Sequence, residues 1–303
     1  MAERLRRMQA APAGAGVEFG ADWLLQRERL DRSARDRALA GMLAERLPER
    51  PQLIDLGAGT GSLFRVLAPM IARPQRWIFA DADRSLIATA FDRTTIWAEG
   101  RGFEARLTGL SSAPVLAIRT PHGVWQVESL AIDLAEAPRG LPCDEVDAVV
   151  CSALLDLTSR RWMERLFAGL RTPFYASLTV DGREAWLPRH PGDPVVRRAF
   201  RRDQRRDKGL GPALGIDAAP AAEEILASLG FETITAMSDW RIPRGERRVG
   251  RLFARMTAAA ACRAAPGQAG RIAEWTRARL GDAARARLSI RIGHRDILAF
   301  PPD

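Results

Sequence analysis

Short apolar runs alternate with stretches of helical periodicity from about residue 51 onward. Residues 53–56, 77–80, 146–151 and 174–180 are compact apolar runs of strand length, whereas 62–71, 84–91 and 160–170 repeat their apolar positions at helical spacing. This rhythm predicts an α/β fold: a doubly wound, mostly parallel sheet covered by helices on both faces, with right-handed crossovers. Residues 113–134 break the rhythm. There APVLAIRT and VWQVESLAI flank Pro121-His122-Gly123, turn chemistry that predicts a hairpin or strand pair running into a sheet strand ending near Asp133. Asp181-Gly182 is expected to close the 174–180 strand. Beyond it the chain reads as polar and irregular to about residue 218, apart from a basic helix near 195–206. A helix over 219–229, stopped by Gly230, precedes a strand at 231–236. Helices at about 245–263 and 268–284 and a last strand at 288–292 complete the pattern.

Ahead of the alternation, Trp23, Leu24, Leu30, Ala34, Leu39, Met42, Leu43 and Leu47 recur at helical spacing, so 17–50 is expected to form one or two amphipathic helices ended by Pro48 and Pro51. Residues 1–16 are basic and then Ala/Gly/Pro-rich, the composition of a flexible lead-in.

With 303 residues, 47% of them hydrophobic, the chain can bury a large core, and a disordered protein is excluded. No run approaches the ~18 uninterrupted apolar residues of a membrane span, and the first residues lack the apolar heart of a secretory signal; a cytoplasmic protein is expected. Cys143, Cys151 and Cys262 are widely spaced, and His122, His190 and His294 are isolated, so no metal site is expected. The formal charge of +9 is carried almost wholly by arginine, Lys208 being the only lysine; GC-rich coding accounts for that usage, while phosphate or carboxylate ligands stay in view.

One stretch changes the picture. LIDLGAGTG, residues 53–61, puts Gly57, Gly59 and Gly61 straight after an apolar run that contains Asp55. Bare backbone at the carboxyl end of a strand lets a ligand approach closely. A dinucleotide fingerprint spaces its glycines GxGxxG to seat a pyrophosphate, and a carboxylate beside that seat would repel it. The same carboxylate attracts an ammonium or sulfonium.

Asp55-x-Gly57-x-Gly59-x-Gly61 after an apolar strand resembles motif I of the class I S-adenosylmethionine-dependent methyltransferases. RWIFADADRSLIATA resembles that family's second strand, whose terminal acid holds the ribose hydroxyls; Asp81 occupies that position, while Asp83 reads as a helix N-cap. LAIDLAE resembles the adenine-binding segment and points to Asp133, with a solvated loop acid as the alternative. DEVDAVVCSALLDL resembles the fourth strand and its loop. The resemblance covers roughly residues 50–180. It implies S-adenosyl-L-methionine as cofactor, held by Asp55, Gly57, Ala58, Gly59, Gly61, Asp81, Ala82, Asp133, Leu134 and Ser152. It also implies a catalytic domain over 51–303 with a helical cap at 17–50 and substrate-covering insertions at about 183–218 and 240–285.

The expected reaction is in-line methyl transfer to a small-molecule acceptor, an anionic one included, with RNA less favoured and an inactive binding protein as a further alternative. CSALLDL lacks the Asn/Asp-Pro-Pro-Tyr/Phe motif of many nucleobase or glutamine amino-group methyltransferases. Asp156, just beyond the fourth strand, is the first candidate for a general base; Tyr175, His190 and His294 are the others. In the 197–208 stretch, Arg198, Arg201, Arg202, Arg205 and Arg206 fall at i, i+3 and i+4 intervals. They form a solvated face with local ion pairs, a lid over an anionic substrate, or a phosphate track. Trp23, Trp186 and Trp240 are expected in the core, with a pocket wall as the other reading.

Overall fold

The computed structural model describes residues 21–110 and 113–302; the lead-in at 1–16 and the start of the helical cap lie outside the described residues. Among the described residues there are ten strands, in chain order β1 (Gln52–Leu56), β2 (Gln75–Asp81), β3 (Glu104–Leu110), β4 (Ala113–Thr120), β5 (Gly123–Ala131), β6 (Ala148–Ser152), β7 (Phe174–Leu187), β8 (Glu232–Met237), β9 (Trp240–Ile242) and β10 (Ser289–Phe300). They form one sheet in the order β3-β4-β5-β2-β1-β6-β7-β10-β8, with β9 paired to β10. The heart of it is five parallel strands, β5-β2-β1-β6-β7. Antiparallel strands extend it on both sides, the β3-β4 hairpin joining β5, and β10 pairing with β7, β8 and β9.

Both faces of the parallel strands are covered, as their near-continuous apolar sequences require. On one face Trp77 and Phe79 of β2 pack with helices α2 (Arg37–Arg46), α3 (Phe64–Ile71) and α4 (Arg84–Glu99). On the other, Ile54 and Leu56 of β1 and Val149 of β6 pack with α5 (Arg160–Ala168) and α7 (Ala218–Ser228). A third core stands on the long ends of β7 and β10. It joins α1 (Ala21–Ala34) to α6 (Asp193–Gln204), α8 (Arg247–Ala264) and α9 (Ala269–Ala284) through Leu30, Trp186, Val196, Phe253 and Trp275.

The chain runs from β1 outward to β2 on one side and returns across it to β6 on the other. That reversal opens a crevice at the carboxyl ends of β1 and β6, where doubly wound sheets bind ligands. This is the fold implied by the methyltransferase resemblance.

β3 and β9 are not anticipated from the sequence, and two anticipated strands run longer than expected. β7 does not close at Asp181-Gly182 but continues to Leu187, and β10 does not end at Ile292 but runs to Phe300. Their pairing shifts register between Ile292 and His294, opposite residues 181–183, so the turn-like dipeptide is a bulge within a continuing ladder. Gly293 sits at the bulge, where a β-carbon would collide with Asp181 and Arg183.

Candidate functional site

The glycine loop leaves β1 and is pinned at once to the neighbouring strand: the Gly57 N–H donates to the Ala80 carbonyl at 2.8 Å, and the Ala58 N–H to the same oxygen at 3.3 Å. Gly57, Gly59 and Gly61 have φ of 66°, 54° and 76°, a left-handed succession that L side chains rarely adopt. A β-carbon at Gly57 would lie 3.4 Å from Leu154, and one at Gly59 would lie 3.2 Å from Leu24 of α1. The loop is thus a bare surface under a roof of leucines. At Gly61 a β-carbon would meet the Phe79 ring at 3.0 Å. Gly61 is not among the cavity-lining residues, and packs the loop against β2 instead.

A cavity of about 760 Å³ opens over this loop, within the range of small-molecule sites. Asp55, Gly57, Ala58, Gly59, Asp81, Ala82, Asp133, Leu134 and Ser152 all line it, and so does Asp156. The four acids come from four different elements.

Asp55 is buried in β1, and its Oδ2 has no hydrogen-bond partner. Burial pushes its carboxyl up to about 8, the Arg35 charge opposing and the Asp81 charge adding. Asp81, at the end of β2, accepts from the Gly59 N–H at 2.9 Å and, through its other oxygen, from the Asp83 N–H at 2.9 Å. Burial raises its pKa against those hydrogen bonds. Asp83 caps α4, accepting from the Ser85 and Leu86 N–H groups. Asp133 is exposed at the rim, where it caps the short turn Leu134–Glu136 by accepting from the Ala135 N–H at 2.9 Å.

The Ser152 hydroxyl belongs to a polar node that the sequence did not announce. Arg35, buried just after α1, donates to Ser62, Ser152 and Ser177 at 2.9 to 3.2 Å. Its partners stand on the glycine loop, β6 and β7, so one guanidinium sets the floor of the crevice.

Of the candidate bases, two reach the cavity. Asp156 has a buried, unpartnered Oδ1; burial raises its carboxyl to about 6, with the charges of Arg27 and Lys208 pulling the other way. His294 is buried with its Nδ1 unpartnered, and burial lowers its imidazole to about 3, reinforced by Arg27. The other two are structural. Tyr175 lies in the core and donates to Asp296 at 3.3 Å, and the Nδ1 of His190 accepts from the Gly192 N–H at 3.0 Å ahead of α6.

Trp23, Trp186 and Trp240 line the cavity. Trp186 and Trp240 are also core residues, so wall and core are the same place here. The arginines of α6 and of the residues just after it are mostly engaged: Arg197 pairs with Glu184, Arg205 with Asp217 and Arg206 with Asp203, while Arg201 and Arg202 donate to carbonyls.

No protein-family model matches the chain, and no curated protein does. Among solved structures, it is similar to a candidate methyltransferase of Bacillus halodurans C-125, with 13% identity over 88% of this chain and 100% of that one and a TM-score of 0.48. A candidate type II methyltransferase of Anaeromyxobacter dehalogenans gives 18%, 88%, 96% and 0.47 in the same order. A SAM-dependent methyltransferase of Geobacter sulfurreducens in complex with S-adenosyl-L-homocysteine gives 16%, 91%, 98% and 0.41.

Proposed function

We propose that the protein is an S-adenosylmethionine-dependent methyltransferase acting on a small molecule. The observation that carries this reading is one cavity holding bare glycine backbone, an unpartnered buried carboxylate at Asp55 and a strand-end carboxylate at Asp81. These residues fit the cofactor. An uncompensated buried acid calls for a cation nearby, which the amino and sulfonium groups supply, and a strand-end carboxylate accepts from two vicinal ribose hydroxyls. Leu134 and Leu154, which flank Gly57, offer apolar cover, and Asp133 stands at the rim to accept from an amino group.

S-adenosylmethionine supplies an electrophilic methyl group on sulfur. The protein's share of the work is alignment and exclusion of water, with a proton acceptor where the nucleophile carries a proton. Leu24 closes over Gly59, and Asp156 supplies the proton acceptor from the loop after β6.

Thermal denaturation with added ligands tests the reading. S-adenosylhomocysteine is expected to raise the Tm, whereas NAD, whose pyrophosphate calls for a GxGxxG spacing that Gly57-x-Gly59-x-Gly61 lacks, is expected not to. Stabilisation by NAD alone would overturn the proposal.

A further inference from the structure

The same cavity is bounded by α1, α8, β9 and β10, and these elements, with the end of β7, bring an aromatic cluster to its wall. Phe253 of α8 stacks offset against Trp23 at 6.4 Å between ring centroids, and against Trp186 at 5.7 Å; Trp240 meets Trp23 and Phe253 edge-on at 6.2 and 6.0 Å. All four rings line the cavity.

Most charged side chains lining the cavity are paired, while Arg201 and Lys208 have no acid partner among the described residues and donate only to backbone carbonyls. Arg27 pairs with Asp31, Arg183 with Asp181 and Asp239, Arg263 with Asp203, and Glu184 with Arg197. His294 is neutral at physiological pH and can only exchange an uncharged hydrogen bond. Asp156 lines the same cavity, two residues after Leu154, which overlies Gly57. The charges of Arg27 and Lys208 work against burial and favour its ionised, proton-accepting form.

We propose that the acceptor is a planar aromatic compound with a weakly acidic hydroxyl, its ring seated against Trp23, Trp240 and Phe253 and its hydroxyl turned to Asp156. This rests on the methyltransferase reading above. In the transfer, a lone pair of the hydroxyl oxygen forms the new O–C bond as the C–S bond of S-adenosylmethionine breaks, its electron pair passing to sulfur. The hydroxyl proton goes to the Asp156 carboxylate and then to solvent, leaving an aryl methyl ether and S-adenosylhomocysteine.

Calorimetry with 2-naphthol as the probe tests this in the presence and absence of S-adenosylhomocysteine. Saturable binding of 2-naphthol by the full chain is expected, with cyclohexanol not bound because it has the hydroxyl without the ring. Trp23 is partly exposed on α1, so Trp23→Ala should fold; it is expected to weaken 2-naphthol binding about tenfold while leaving S-adenosylhomocysteine affinity within about twofold. A wild type that binds S-adenosylhomocysteine but not 2-naphthol overturns the proposal, as does a Trp23→Ala variant that binds 2-naphthol like the wild type. Binding of 2-naphthol without any binding of S-adenosylhomocysteine overturns instead the methyltransferase reading, and the aromatic wall stands.

Discussion

Arg65 donates to both carboxylate oxygens of Glu28, each at 2.8 Å. The pair ties α3, which begins beside the glycine loop, to α1, which lies across it. Arg65 is nearly inaccessible and also donates to the Thr60 carbonyl and the Thr94 hydroxyl, so the guanidinium is fixed at both ends. Burial would raise the Glu28 carboxyl, but the Arg65 hydrogen bonds and charge outweigh it and hold the carboxyl below its usual range. Glu28→Gln is expected to cost about 1–3 kcal/mol and to speed hydrogen exchange across residues 21–34, since it leaves Arg65 buried without its counter-charge. Unchanged exchange in α1 would show that the tie does not hold the roof.

Asp55 predicts an opposition between stability and binding. Its folded pKa of about 8 lies above the unfolded carboxylate value near 3.8. Its contribution to stability is therefore complete below about pH 4, declines as pH rises toward 8 and is flat beyond. Asp55→Asn removes that decline, so the variant should gain on the wild type between pH 4 and pH 8, by up to a few kcal/mol, roughly, at the upper end. The same change should weaken S-adenosylhomocysteine binding. Urea denaturation at several pH values checks the first part; parallel stability profiles would contradict it.

Gly61 is expected to matter for folding more than for contact with a ligand. Gly61→Ala puts a methyl group 3.0 Å from Phe79 on a backbone with φ of 76°. A loss of about 2 kcal/mol or more is expected in denaturant titrations, from strain and overlap together. An alanine variant as stable as the wild type would mean that the loop relaxes freely.

The engaged arginines of α6 and of the turn that follows it predict weak attraction to RNA. Arg205 and Arg206 are paired with acids, and Arg201 with a carbonyl. Binding of a single-stranded RNA, followed by fluorescence anisotropy from 50 to 200 mM salt, is expected to be weak throughout. Tight binding that falls steeply with salt would restore the phosphate-track reading.

The glycine loop and the acids at the ends of β1 and β2 were legible because their chemistry is local: an apolar run, then glycines, then a strand-end acid and a cap. Asp83 was legible as a cap for the same reason. The extent of β10 was not, because His294, Arg295 and Asp296 interrupt its apolar pattern. Asp296 is tolerated there by distant partners, accepting from the Leu178 and Asp36 N–H groups at 2.8 Å. The continuation of α4 past Phe91 was hidden by the β-branched Thr94-Thr95-Ile96, and β9 is only three residues long. Arg35 and the Arg65–Glu28 pair gave no signal, being single charges whose partners lie far along the chain. The aromatic cluster assembles rings from α1, β7, β9 and α8, a juxtaposition only the fold creates.

The most direct test of the central claim is calorimetric titration of S-adenosylhomocysteine into the wild type and into Asp81→Ala, with circular dichroism confirming that both are folded. Saturable binding by the wild type and at least about a tenfold loss in the variant are predicted if, as proposed, Asp81 supplies the two acceptors for the ribose. A folded wild type that binds no S-adenosylhomocysteine would contradict the account.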